Sequence, residues 1–324
     1  MSTHLSPRTA TLIGFTAVLL WSLLAVFTAA SGTMPPFQLT AVTFSIGGLA
    51  GVALWVFRPH AVKALKQPWP VWLLGIAGLF GYHALYFTAL RNAPPVEAGL
   101  INYLWPLLIV VFSALLPGET LRLHHVAGAL LALAGAALVV TGGRGLAFNA
   151  EYLVGYGAAL FAAFAWAGYS VLSRRFAAVP SDAITGFCLV TALLSALCHL
   201  ALEQTVWPQD LLQWGAIVAL GLGPVGLAFY VWDIGVKHGD IQVLGAASYA
   251  APLLSTAILI ATGYAAYSHA ILVASLLITA GAVLAARDML FRRKAVVTDS
   301  YLGALPPTLR EWDSPEDEAA DRDL

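Results

Sequence analysis

From about residue 11 to residue 286 the chain alternates long apolar runs with short polar connections, and within the runs apolar and polar positions do not alternate two by two. An unbroken apolar run of about 20 residues, wound as a helix, spans a hydrocarbon core of about 30 Å. Ten such runs are read, at 11–30, 37–57, 71–90, 95–116, 123–141, 152–173, 183–202, 211–236, 240–262 and 268–286. The eighth and ninth are the least regular, because their junction holds Asp233, Lys237, His238 and Asp240. A membrane barrel would need short alternating strands, whereas runs rich in Ala, Leu and Gly predict a helical bundle. The expected fold is therefore an all-α integral membrane protein with ten transmembrane helices. The first run exceeds the about 7 to 15 residue core of a signal peptide and is followed by further spans, so it reads as the first helix.

Composition sharpens this picture. The chain is 60% hydrophobic and only 10% charged, against about 25% charged in soluble domains. The expected surroundings are a lipid bilayer, and no nucleic-acid partner is expected. Lys and Arg in short loops set orientation. With the N-terminus inside, the inner segments collect Arg8, Arg58, Lys63, Lys66, Arg122, Arg174, Arg175, Lys237, Arg287, Arg292, Arg293 and Lys294, and the outer loops only Arg91 and Arg144. Both termini are thus expected in the cytoplasm, in a multi-pass protein of the inner (plasma) membrane. Beyond about residue 295 the chain turns polar, with the acidic run SPEDEAADRDL, and reads as a disordered tail. Cys188 and Cys198 lie ten residues apart on one predicted helix, cannot easily pair, and read as packing residues.

An internal repeat appears when Pro106 is laid over Pro252, at an offset of 146. YLWPLL then faces YAAPLL, Tyr103 meets Tyr249, and Gly135 meets Gly281; Trp21 and Trp166 correspond at an offset of 145. Five spans per half is an odd number, so the second half enters the membrane inverted. The expected organisation is a tail at 1–10, a first five-helix repeat at 11–145, an inverted second at 146–290 and a tail at 291–324. Inverted repeats mark secondary transporters, whose sites lie near the midplane where Pro or Gly interrupts helices.

The candidate site follows from those interruptions. Proline cannot bond the carbonyl four residues back, which for Pro106 belongs to Asn102 and for Pro252 to Ser248. Such freed groups need a neighbouring helix or a watery cavity. In the third run Tyr82, His83 and Tyr86 share one helical arc, and intramembrane histidine is a functional candidate. Trp166, Tyr169 and Ser170 follow i, i+3, i+4 spacing, as do Phe229, Trp232 and Asp233. The candidate substrate-binding set is Tyr82, His83, Tyr86, Asn102, Tyr103, Trp105, Pro106, Trp166, Tyr169, Ser248, Tyr249 and Pro252. Trp69, Trp72 and Trp207, near predicted ends, read as interfacial belt. Gly47 and Gly51 form a GxxxG face read as intramolecular packing, and nothing in the sequence fixes an oligomeric state.

Residues 86–142, YFTALRNAPPVEAGLINYLWPLLIVVFSALLPGETLRLHHVAGALLALAGAALVVTG, resemble the EamA-type drug/metabolite transporter superfamily. The resemblance runs from the aromatic and AL of the third helix through Pro94 to Ala98, Pro106, Gly118 and Glu119, to Gly128 and Gly135, and covers nearly all of 11–290. Its NYLWP form is similar to the YddG-like aromatic amino-acid exporters. In the second half, Tyr264 and Ala265 stand where a GE pair would fall. The resemblance implies ten helices in two inverted repeats and outward movement of aromatic amino acids and related small metabolites. Asn102, His83 and tyrosine hydroxyls suit a zwitterion's polar groups, and Trp105, Trp166, Tyr82 and Tyr86 its ring. Glu97, Glu119, Asp233 and Asp240 lie near helix ends rather than mid-span, which favours facilitated or exchange transport over proton antiport.

Two other readings stay open at this point: a same-fold exporter of other small metabolites or cationic drugs, and a polytopic membrane enzyme. For the latter, the only suggestive cluster is GETLRLHH, where Arg122 sits among Glu119, His124 and His125, so no metal site is expected. No GxxxxGK[ST] loop occurs, and no cofactor is expected.

Overall fold

The computed structural model describes residues 5–143, 149–263 and 269–288. Among them all regular structure is helical. Nine helical runs are long and apolar enough to cross a membrane: α1 (Pro7–Ala30), α2 (Pro36–Leu54), α3 (Trp69–Asn92), α4 (Pro95–Leu115), α5 (Leu123–Thr141), α6 (Ala150–Phe176), α7 (Ala183–Leu202), α8 (Leu211–His238) and α9 (Ile241–Ala261). A further apolar helix, α10 (His269–Ala285), has 17 residues. The helical unit ends at Ala286, and of the second unit only Arg287 and Asp288 are described. Arg144, Tyr264, Ala265 and the tail from 291 lie outside the described residues.

The charged junction that blurred the eighth and ninth runs is a pair of helix ends. Asp240 caps α9, its carboxylate accepting from the amides of Gln242 at 3.1 Å and Val243 at 3.0 Å, where an anion also meets the positive end of the helix. Pro7, Pro36 and Pro95 each open a helix, where the missing N–H has no intrahelical partner to lose.

Five of these runs are interrupted: α1 breaks at Ser22 and Leu23 and resumes at Leu24. α3 and α8 each carry a π-helical turn, Ala77–Gly81 and Gly223–Leu227, 146 residues apart. α4 and α9 break at the two proline motifs, resuming at Trp105 and Ala250. Here the structure differs from the sequence reading. The helices end at Asn102 and Ala247, so each proline lies in the first turn of a new segment and costs little, and the Ser248 carbonyl is not left free but accepts from the Ala251 amide at 3.1 Å. Leu107, in that first turn, donates its N–H to the Tyr249 hydroxyl at 3.1 Å.

The helices pack as α1 on α8, α2 on α7, α3 on α6, α4 on α9 and α5 on α10. Backbones touch where glycines remove side chains. A Cβ on Gly14 of α1 would lie 2.8 Å from Gly235 Cα of α8, and one on Gly128 of α5 would lie 2.6 Å from Gly281 O of α10. Gly47 of the GxxxG face meets Gly226 of α8 in the same way, so at that position the motif serves packing within the chain. Trp69 and Trp207 are exposed near helix ends. Trp72, also near a helix end, packs edge-on against Phe187 of α7, 5.4 Å between centroids.

Candidate functional site

Between the helices lies a cavity of about 750 Å³, walled by α1, α2, α3, α4, α6, α8 and α9. It extends from the 32–36 connector, where Met34 and Pro36 line it, inward to a layer of tryptophans. None of the residues lining it is Asp, Glu, Lys or Arg.

The tryptophans come from four helices. Trp21 of α1 contacts Trp105 of α4 at 6.2 Å, Trp166 of α6 at 5.5 Å and Trp232 of α8 at 5.1 Å. Trp166 and Trp232 stack at 6.1 Å, while Trp105 meets Trp166 edge-on at 6.3 Å. Two ring N–H groups fix the layer: Trp21 Nε1 donates to Pro224 O in the α8 π-helical turn at 3.1 Å, and Trp232 Nε1 to Ser170 Oγ at 3.0 Å. Buried indoles that have a partner for their N–H keep one orientation, so the layer offers faces and edges in set positions. Phe44 and Phe229 stack beside it at 5.6 Å.

Polar groups sit on one side, on α3 and α4. Asn102 Nδ2 donates to Tyr82 Oη at 3.1 Å, and its buried Oδ1 has no partner. Since the Tyr82 hydroxyl accepts from Asn102, its own hydrogen is left for another acceptor. His83 Nδ1 lies 2.7 Å from Leu79 O within the α3 π-helical turn. A carbonyl only accepts, so Nδ1 carries the hydrogen and in the neutral ring Nε2 is an acceptor. Tyr86 stacks on Tyr82 at 6.0 Å, and Tyr103 completes this side. The arrangement offers hydrogen-bond donors and acceptors next to aromatic walls with no fixed charge. It suits a ligand that is neutral overall, because an unpaired ion in such a place would be costly.

Of the twelve residues singled out from sequence, Tyr82, His83, Tyr86, Asn102, Tyr103, Trp105 and Trp166 line the cavity. Pro106, Ser248, Tyr249 and Pro252 do not; they are buried in the packing of α4 and α9, with Ser248 Oγ bonded back to Leu244 O at 2.7 Å. Ala251 and Ser255 are the α9 residues that face the cavity. Tyr169 lies behind Trp166, ring to ring at 5.4 Å. Trp21, Thr43, Phe44, Phe87 and Phe229 line the cavity but were absent from the candidate set. For Trp21 the signal existed, in its correspondence with Trp166.

At the opposite end from the 32–36 connector the bundle is tied shut by polar contacts. Arg174 of α6 pairs with Glu119 at 2.6 Å and donates to Val236 O at 3.2 Å and Gly239 O at 2.7 Å. Gln242 Nε2 donates to Ser113 Oγ at 3.0 Å, and the Asp240 amide to Thr11 Oγ1 at 2.8 Å. On the cavity's own side Glu203 is a buried strut. It accepts from the Phe37 and Gln38 amides, both at 3.1 Å, and from Arg91 Nη2 at 2.8 Å.

Comparison with known proteins gives a consistent result. The profile of the EamA-like transporter family matches twice, at residues 8–141 and 153–287. An aromatic amino acid exporter YddG of Ancylobacter novellus is 58% identical over 283 residues, 87% of this chain and 98% of that protein. The exporter of the same name from Escherichia coli strain K12 is 28% identical, over 78% of this chain and 88% of its own. A pseudopaline exporter CntI of Pseudomonas aeruginosa is 28% identical over 61% of this chain and 68% of its own. One solved crystal structure superposes with a TM-score of 0.84 at 57% identity, covering 90% of this chain and all of that one.

Proposed function

We propose that this chain, which belongs to the EamA-like transporter family, exports aromatic amino acids and related small metabolites by opening its central cavity alternately to the two sides of the membrane. It is a multi-pass protein of the inner membrane, and its named relatives are transporters rather than enzymes. The observation that carries the cargo assignment is the cavity itself: Trp21, Trp105 and Trp166 line it, with Trp232 packed behind them, beside a buried, unpartnered Asn102 Oδ1 and with no charged lining residue. An amino acid at neutral pH is a zwitterion, so it brings no net charge into this space. Its ring meets indole faces and edges, its ammonium the Asn102 oxygen and His83 Nε2, and its carboxylate the tyrosine hydroxyls.

The organisation we favour is ten membrane helices in two inverted repeats, 11–145 and 146–290, with both termini in the cytoplasm. Support comes from the double family match, from π-helical turns 146 residues apart, and from the pairings α1 on α8 and α3 on α6, which exchange under a half-to-half rotation. With Lys and Arg concentrated at the other end, the 32–36 connector is on the outer side, and the conformation is the one open outward. Among the cavity-lining residues none is a carboxylate, so exchange or facilitated movement is favoured over proton antiport.

The test is flux of labelled tryptophan into proteoliposomes, with and without a pH gradient, challenged by phenylalanine, tyrosine, threonine and alanine. Saturable flux competed by the aromatic residues alone, and indifferent to the gradient, is expected. Similarity to an exporter of another metabolite makes other cargoes the second reading, favoured if tryptophan flux equals that of empty liposomes.

A further inference from the structure

On the far side of the tryptophan layer, towards the closed end, lies a second and much smaller cavity of about 20 Å³. This is room for about one water molecule. Asp233 and Lys237 of α8 line it, both buried, as an ion pair of 2.7 Å. Ser181 Oγ donates to the same Asp233 oxygen at 2.6 Å, and Lys237 Nζ also donates to Val179 O at 2.9 Å. Tyr169, 2% exposed, lines the cavity and its hydroxyl has no partner. Phe187, backed by Trp72, forms an aromatic wall.

Neither the packing nor the central cavity accounts for this group. A buried ion pair gains little over apolar residues of the same shape, and a buried hydroxyl without a partner is a net loss. Both make sense if the site takes a ligand in another state of the protein. Opposite charges four residues apart on one helix present an anion and a cation side by side. That is the pattern complementary to the ammonium and carboxylate of one α-amino acid. A zwitterion inserted between them would bond its ammonium to Asp233 and its carboxylate to Lys237 and the Tyr169 hydroxyl, with its ring against Phe187. Charge stays balanced throughout, because each buried ion exchanges one opposite partner for another. Tyr169 belongs to both sites, lining the small cavity and packing its ring on Trp166, which lines the large one.

We infer that Asp233, Lys237 and Tyr169 form a second zwitterion-binding station, closed in this conformation, which takes an amino acid from the end opposite the 32–36 connector before it reaches the tryptophan layer. The inference rests on the exporter reading. It separates the station from a simple latch, since a latch has no preference among ligands.

The experiment uses the full-length protein in proteoliposomes, with Lys237→Met and the double variant Asp233→Leu/Lys237→Met. Counterflow of tryptophan and of tryptamine, which keeps the ammonium and lacks the carboxylate, is measured alongside equilibrium tryptophan binding in detergent. In Lys237→Met the Asp233 carboxylate is free to pair with an amine alone, so the tryptamine-to-tryptophan counterflow ratio should rise at least tenfold. The double variant should bind tryptophan within about twofold of the unaltered protein while tryptophan counterflow falls at least tenfold. Normal binding with an unchanged ratio in Lys237→Met, or undiminished tryptophan counterflow in the double variant, would overturn the station alone. Absence of tryptophan binding and flux in the unaltered protein would overturn the exporter reading and the station with it.

Discussion

Asn102 gives an amide hydrogen to the Tyr82 hydroxyl at 3.1 Å while its own carbonyl oxygen, buried in the cavity wall, is bonded to nothing. The first bond orients the side chain and the second atom is what the orientation presents. A hydrogen bond from a charged donor is worth about 1.5–3 kcal/mol. Replacing Asn102 by Leu, of similar volume, should therefore weaken tryptophan binding by about ten- to a hundredfold with little change in thermal stability. Calorimetric titration of purified protein would check it; an unchanged Kd would remove Asn102 from the site.

Trp166 touches Trp21, Trp105, Trp232 and Tyr82, so it both lines the cavity and holds the layer together. Trp166→Ala should cost about 3–5 kcal/mol of stability. Trp166→Phe keeps an aromatic ring and enlarges the space, so phenylalanine should lose less affinity than tryptophan. Competition curves against labelled tryptophan report the change in ranking, and an identical ranking would argue against indole contact.

Tyr103 and Tyr249 correspond at the 146 offset, yet they should answer differently to the same substitution. Tyr249→Phe removes the acceptor of the Leu107 amide, beside the fully buried Tyr249 ring, costing about 1–3 kcal/mol and lowering the melting temperature. Tyr103 lines the cavity, and Tyr103→Phe should lower tryptophan affinity while leaving melting nearly unchanged. Equal effects of the two on melting would contradict the assignment.

At the α1 and α8 crossing, a Cβ on Gly235 would come within 2.5 Å of Gly14 Cα. Backbone cannot yield as a side-chain tip can, so Gly235→Ala should destabilise by about 1–3 kcal/mol. Gly157 on α6 has nothing within 4 Å of such an atom. Gly157→Ala should be neutral or gain up to about 1 kcal/mol from helix propensity. Fluorescence-detected melting of the two proteins, side by side, distinguishes these outcomes.

Much of the bundle was legible in the spacing of apolar residues, because lipid imposes run length directly. The interruption at NYLWPLL was legible too, though its form was not: a proline reads alike whether it bends a helix or begins one. Tyr82, His83, Tyr86, Asn102 and Tyr103 were found because polar atoms in an apolar run need an explanation, and Trp105 and Trp166 through the proline motif and the repeat. Trp21, Phe44 and Phe229 were passed over because an apolar ring needs none, and only the neighbouring helices decide whether it meets a cavity or a core. Tyr103 and Tyr249 show a further limit. Residues equivalent in a repeated sequence need not be equivalent in a structure whose cavity reaches one face, so the offset that reveals the repeat cannot say which copy lines the cavity. Asp233 and Lys237 looked like helix-end charges, and only their burial together with Tyr169 distinguishes them.

The cavity wall without formal charge has an electrical consequence. A charge carried across a bilayer feels about 2.3 kcal/mol for every 100 mV of potential. A zwitterion enclosed by neutral side chains carries no net charge through that field. If export proceeds by exchange or facilitated movement, as proposed, the loaded protein passes no current, the membrane voltage neither drives nor brakes it, and the ratio of cargo concentrations on the two sides sets the direction of flow.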